Sequence, residues 1–171
     1  GEGLGNKFLS HIREVNAILL VVRCFPQGEI IHVENSVDPL RDMEIVIAEL
    51  ILKDLETLEK RIKNAEAEER GNIKNAEKNL QILNRVKDKL ARGELISEFK
   101  DEAVIKEMQL LTAKKQLYLL NGKLNDVSPA LIEKIKSLKA DFIISDLKVV
   151  SEIPELIKAS YKLLSLISFF T

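Results

Sequence analysis

The sequence predicts an α/β fold: a parallel sheet built from strand–helix–strand units, interrupted by an antiparallel α-helical coiled-coil hairpin. Three observations carry that reading. Apolar runs rich in β-branched or aromatic residues recur at 17–25, 116–120 and 141–145, each too short for a typical buried helix and suited to a strand. Segments between and after them place apolar residues three and four apart, the period of a helix. Finally, Ile47, Ile51, Leu55, Leu58, Ile62 and Ala65 follow steps of 4, 4, 3, 4 and 3, a narrow seam of the coiled-coil kind.

Taken in order, Phe8, Ile12 and Val15 share a helical face, which predicts a short amphipathic helix before the first strand. The run Ala17 to Phe25 suits a strand covered on both faces, and Pro26-Gln27-Gly28 stops it. A polar loop from Glu29 carries His32 to Asp38-Pro39, a helix start with proline in the first turn. The seam breaks at 68–72, resumes with Ile73, Ala76, Leu80, Leu83, Val86 and Leu90, and ends at the glycine cap of Arg92-Gly93. Each arm has roughly 20 residues, so the hairpin projects about 30 Å. Residues 99–111 read as helix, 116–120 as a second strand, and Ser128-Pro129 as the start of a helix carrying Leu131, Ile132, Ile135 and Leu138. A third strand at 141–145 and a final helix at 152–166 complete the pattern.

The 171 residues suit one domain with an insertion, and 46% hydrophobic against 31% charged residues supports a core rather than disorder. A net charge of −1 gives no bulk electrostatic case for a nucleic acid or a membrane surface. No sequence-specific DNA partner and no membrane partner is expected. One cysteine, Cys24, excludes an internal disulfide framework, and two histidines, His11 and His32, exclude a histidine-rich metal centre. No apolar run approaches the ~18 residues of a spanning helix, and the expectation is a soluble, cytoplasmic protein. The start at Gly1-Glu2-Gly3-Leu4-Gly5 without methionine and the apolar Phe169-Phe170 near the end read as a piece of a larger protein.

Several separated segments then point one way. Gly1 to Leu9, Ile12-Arg13-Glu14, Val21-Val22-Arg23-Cys24-Phe25, Ile30-Ile31-His32-Val33 and Ser36-Val37-Asp38-Pro39 are joined by Asp42-Met43-Glu44-Ile45, Glu49-Leu50, Asp54-Leu55-Glu56 and Leu110 to Lys114. Ala159 to Leu164 and Phe169-Phe170-Thr171 extend the series. This collinear set resembles YchF-type, Obg-related P-loop nucleotidases from just after their second switch to the start of their C-terminal TGS domain. The arms at 59–92 match in pattern only. The resemblance implies part of a Ras-like P-loop G domain: 1–46 after switch II, 47–98 the helical insertion, 99–171 the rest of the G domain.

The resemblance further implies ATP, or GTP, and Mg2+ as ligands, and a ribosome or other translation partner. No G-x-x-x-x-G-K-[ST] phosphate loop occurs in the chain, and Gly1-Glu2-Gly3-Leu4-Gly5 lacks the following Lys-Ser/Thr. The phosphate and metal ligands are therefore expected upstream, and the chain alone is expected to bind nucleotide poorly and to be inactive.

His32 matches the family's loop histidine, and the resemblance implies that it orients the attacking water, a role suited to a group titrating near neutral pH. A lone loop histidine is otherwise a surface residue. His11 has no such match, and Cys24 reads as a small packed hydrophobe. Asn121, Gly122 and Lys123 fall where the family binds the base; its pattern there resembles N-x-x-E, and Leu124 stands where that Glu is expected. The competing reading is a plain strand-end turn built on Asn-Gly, while Asp126 is the nearest carboxylate able to take the missing one's place. Ser145 matches the last base-facing loop, although Asp146-Leu147 after it departs from the pattern. Gly3 and Gly5 match the glycines beside switch II, where they permit rearrangement. The alternative function is a non-catalytic interaction module with a degenerate nucleotide site.

Overall fold

The computed structural model describes residues 12–25 and 38–146. In chain order the described elements are β1 (Ala17–Arg23), α1 (Pro39–Arg70), α2 (Ala76–Ala91), α3 (Ala103–Met108), β2 (Lys115–Asn121), α4 (Pro129–Ser137) and β3 (Asp141–Ser145). The chain forms two compact units: Gly1–Val15 with Glu44–Lys115, and Asn16–Met43 with Gln116–Thr171. The final helix expected at 152–166 and most of the one expected before β1 lie outside the described residues; only a helical turn at 12–14 is seen.

The second unit holds a three-stranded sheet in the order β1-β2-β3. β2 and β3 are parallel, with Leu117 opposite Asp141 and Asn121 opposite Ser145. Parallel neighbours need a crossover, and α4 supplies it, packing against β3. The start of α4 is legible in its chemistry: the Ser128 hydroxyl accepts the Leu131 N–H at 3.3 Å, and Pro129 occupies the first turn. Leu131 and Ile135 are its fully buried face. Along β2, Gln116, Tyr118 and Leu120 are buried and alternate with half-buried partners, so one face is core. Tyr118 keeps its hydroxyl satisfied there by donating to Gln116 Oε1 at 2.7 Å. β1 buries Val22, but Leu19 and Val21 are 55% and 57% exposed. Among the described residues, the expected covering of both faces of β1 is not seen.

The first unit is helical. Asp38 starts α1 by accepting the Arg41 N–H at 3.1 Å. From Ile47 onward the helix buries Ile47, Leu50, Ile51, Leu58, Ile62 and Ala65, and α2 buries Ala76, Ile82, Leu83, Val86 and Leu90. Lys87 on α2 pairs with Glu59 on α1 at 3.9 Å. Residues 71–75 connect the two helices, with Asn72 and Asn75 in the left-handed region at φ 54° and 67°. The break thus comes three residues later than the sequence predicts. Ile73 does not resume the seam: it sits in this turn and is 58% exposed. The end of α2 follows expectation. Gly93 adopts φ +75°, its N–H reaches the Leu90 carbonyl, and the Glu94 N–H reaches that of Lys89, the paired bonds of a Schellman cap.

The helix expected over 99–111 is only partly formed. A 3-10 turn covers Ser97–Phe99, α3 covers Ala103–Met108, and Gln109 turns left-handed at φ 50°. What stops the helix is a competing acceptor. Asp54, on the buried side of α1 and 0% exposed, accepts the Leu111 N–H at 2.9 Å, the Thr112 N–H at 2.7 Å and the Thr112 hydroxyl at 2.7 Å. Arg13 approaches the same carboxylate at 4.0 Å and donates to Thr57 Oγ1 at 3.0 Å. Lys114 in turn donates to the carbonyls of Arg13 and Val15 at 2.8 and 2.6 Å. Burial pushes the Asp54 carboxyl above its ordinary value, opposed by its bonds from Thr112 and Leu111 and by the Arg13 charge.

Removing the acceptor leaves two buried amides and a hydroxyl unmatched, so Asp54→Ala is expected to lower unfolding free energy by about 3 kcal/mol in urea titrations. The pH dependence has a definite sign. Folded Asp54 keeps its proton to higher pH than the unfolded chain does, so its contribution is complete at low pH and falls as pH rises through the raised value. The stability gap between the natural chain and Asp54→Asn is expected to narrow as pH rises above the ordinary carboxylate range, and a gap that widens would refute this.

Candidate functional site

The site predicted from sequence falls at one end of the sheet in the second unit. Cys24 follows β1 directly, and its N–H donates to the Asn121 carbonyl at 2.8 Å. Asn121 ends β2 opposite Ser145, which ends β3. One residue further, the Gly122 N–H donates to the Ser145 carbonyl at 3.0 Å. The carboxyl ends of all three strands therefore meet, which is where open α/β sheets present their ligand-binding loops.

Gly122 is held there by its neighbours. A Cβ at this position would stand 3.1 Å from the Phe25 amide nitrogen, 3.2 Å from Cys24 Cβ and 3.3 Å from Asp126 Oδ2. Two of those three atoms belong to Cys24 and Phe25, just past β1, so a side chain at 122 fits only if these neighbours give by a few tenths of an ångström. Beyond Gly122, residues 124–126 form a 3-10 turn. The Asp126 carboxylate accepts the Lys123 N–H at 2.8 Å while the Asp126 N–H donates to the Lys123 carbonyl at 2.9 Å. Leu124 projects from this closed turn and is 69% exposed.

β1 contributes two further groups to this end. The Arg23 guanidinium lies over the Phe25 ring at 4.4 Å, a cation–π contact. The Cys24 thiol is buried, and its burial, followed by the nearby Asp126 charge, pushes its pKa up. That environment suits a packed thiol and not a reactive one.

The comparisons with known proteins bear on the whole of this chain. It is 37% identical over 206 aligned positions to a Bacillus subtilis protein named "Ribosome-binding ATPase YchF", with all of this chain and 56% of the relative covered. It is 35% identical over 210 positions to "Obg-like ATPase 1" of Saccharomyces cerevisiae, covering all of this chain and 53% of the relative. The chain belongs to the YchF-type, Obg-like ATPase family. Its structure also superposes on the Schizosaccharomyces pombe YchF GTPase with a TM-score of 0.62 and 26% identity, over 95% of this chain and 53% of that one. The chain spans about half the length of the curated relatives it matches. No family model matches it.

Of the residues that the YchF-type pattern singles out, Asn121, Gly122, Lys123 and Ser145 lie together at the strand ends. His32, Gly3 and Gly5 lie outside the described residues. Among the described residues, no group of three or more His, Cys, Asp or Glu side chains is placed to hold a metal ion, so the expected Mg2+ has no ligand set assigned there. No described helix is long and apolar enough to cross a membrane. Sequence reasoning missed the tie between Cys24 and Asn121. A bond between strand ends so far apart in sequence leaves no local mark.

Replacing Gly122 by Ala brings a methyl against the Phe25 amide nitrogen, the Cys24 Cβ and the Asp126 carboxylate. It is expected to cost about 1–2 kcal/mol of stability in chemical denaturation, with the difference absent if the strand end yields freely.

Proposed function

We propose that this chain forms the base-binding side of a YchF-type nucleotide hydrolase, together with the family's inserted helical hairpin. The observation that carries the reading is the meeting of Asn121, Gly122 and Ser145 at the carboxyl ends of the strands, in a chain of this family. In this proposal the intact protein binds and hydrolyses ATP, with GTP as the competing nucleotide. Asn121, Gly122, Lys123 and Ser145 surround the base, and main-chain groups of Gly122 do part of the recognition.

The remaining assignments follow the family resemblance. His32 orients the attacking water, and Gly3 and Gly5 give freedom to the segment beside the second switch. Mg2+ and the phosphates are held by residues preceding Gly1, so the chain by itself is inactive. Residues 47–98 form the coiled-coil insertion between G-domain parts 1–46 and 99–171, with α1 and α2 as its two arms. The protein works in the cytoplasm as a nucleotide-driven switch on the ribosome or another translation partner, as the name of the Bacillus subtilis relative suggests.

Two experiments on the full-length protein test this. Titration with fluorescent ATP and GTP analogues in the presence of Mg2+ is expected to give ATP binding at least as tight as GTP binding. Binding of neither would favour an interaction module with a degenerate site, a reading to which the apolar Leu124 lends support. His32→Ala is expected to reduce turnover by about a hundredfold or more with nucleotide affinity nearly unchanged, and unaltered turnover removes His32 from the mechanism.

A further inference from the structure

We infer that Asp126 is a positioning residue of the base loop and does not itself read the base. The inference rests on the nucleotide reading above and deepens it. The candidate for a base-reading group here is the carboxylate nearest the strand ends, since Leu124 occupies the expected acidic position. The geometry spends that carboxylate elsewhere. Asp126 Oδ2 accepts the Lys123 N–H at 2.8 Å, and the Asp126 N–H returns a bond to the Lys123 carbonyl at 2.9 Å. Residues 123 and 126 thus exchange two hydrogen bonds and close the loop on itself, with a charged acceptor in one of them.

The same oxygen sits 3.3 Å from where a Gly122 Cβ would be, and that position also abuts Phe25 and Cys24. Asp126 therefore bears on the stretch 122–123 from one side while the end of β1 bears on it from the other. Its charge is also felt by the buried Cys24 thiol. The side chains of Leu124 and Asn125 are exposed, while the Leu124 carbonyl accepts the Val127 N–H at 3.3 Å and so closes the far side of the turn. A carboxylate that reads guanine must face the base with both oxygens toward its imino and amino donors. One that closes its own loop fixes the main chain instead, and acts equally on any purine.

The test uses the full-length protein with Asp126→Ala, which removes the acceptor, and Asp126→Asn, which keeps an oxygen that can accept the Lys123 N–H. Without nucleotide, exchange of the Lys123 amide is expected to quicken about tenfold or more in Asp126→Ala. Asp126→Asn is expected to restore most of that protection. ATP and GTP analogues are expected to weaken in parallel in Asp126→Ala, by about tenfold, with their ratio unchanged and most of the loss recovered in Asp126→Asn. If Asp126→Asn weakens GTP selectively while ATP is unaffected, Asp126 reads the base and the inference falls while the nucleotide reading stands. Unchanged amide exchange in Asp126→Ala also overturns it. Should the natural protein bind neither nucleotide, the nucleotide reading falls and takes the base-loop role with it.

Discussion

The buried carboxylate of Asp54 is the constraint on which the helical unit depends. It sits on the apolar side of α1, fully shielded from water, and receives two main-chain amides and a hydroxyl from Leu111 and Thr112. An isolated buried charge is strongly unfavourable, so the residue is tolerable only while that set of donors is intact. Three distant stretches of chain are thereby held in one arrangement. Residues 13–15 reach it through Arg13 and through Lys114, residues 54–57 belong to α1, and residues 108–114 supply the donors. A carboxylate that needs three particular donors fixes where residues 111–112 lie along α1, which apolar contact alone would leave free to slide.

At the strand ends the same economy of backbone bonding recurs in a different setting. Parallel strands leave their terminal carbonyls and amides to be matched by whatever follows, and here they match one another. Cys24 bonds to Asn121, and Gly122 bonds to Ser145. The approach is close enough that a Cβ at position 122 would press on Phe25, Cys24 and Asp126 at 3.1–3.3 Å. A loop built this way presents main-chain groups at its edge, held by neighbours on both sides, which is what recognition through backbone contacts requires.

The α/β pattern, all three strands and the starts of α1 and α4 were legible because each rests on a local signal. Apolar runs bounded by Pro, Gly or Asn marked the strands, and Asp38-Pro39 and Ser128-Pro129 carried their own capping chemistry. What was not legible depends on partners far away in sequence. Ile73 fits the heptad spacing, yet the left-handed Asn72 and Asn75 place it in a turn. The helical period predicts a helix running to Leu111, yet the Leu111 and Thr112 amides are claimed by Asp54, which lies more than fifty residues earlier. Asp54 itself looks like one more polar residue beside an apolar seam. The sequence gathered Asn121, Gly122 and Ser145 through family resemblance, while the reason for glycine at 122 became visible only with Phe25 and Cys24 alongside it.

Asp54 and Asp126 make the same point from opposite surroundings. Both carboxylates accept main-chain amides, one in the fully buried side of a helix and one in a partly exposed turn. Charge and residue type do not distinguish an acid that fixes the chain from one that meets a ligand; the identity of the atoms it already binds does. By that criterion the exchange of the family's expected acid for Leu124 is structurally inexpensive, since the side chain at 124 is exposed and the turn uses only the main-chain carbonyl there. The loop's shape is fixed two residues later, by Asp126. Under the proposed nucleotide role, with position 124 apolar and position 126 bonded to the backbone, discrimination between purines would fall to the main chain of 121–123 and to the strand end beside it.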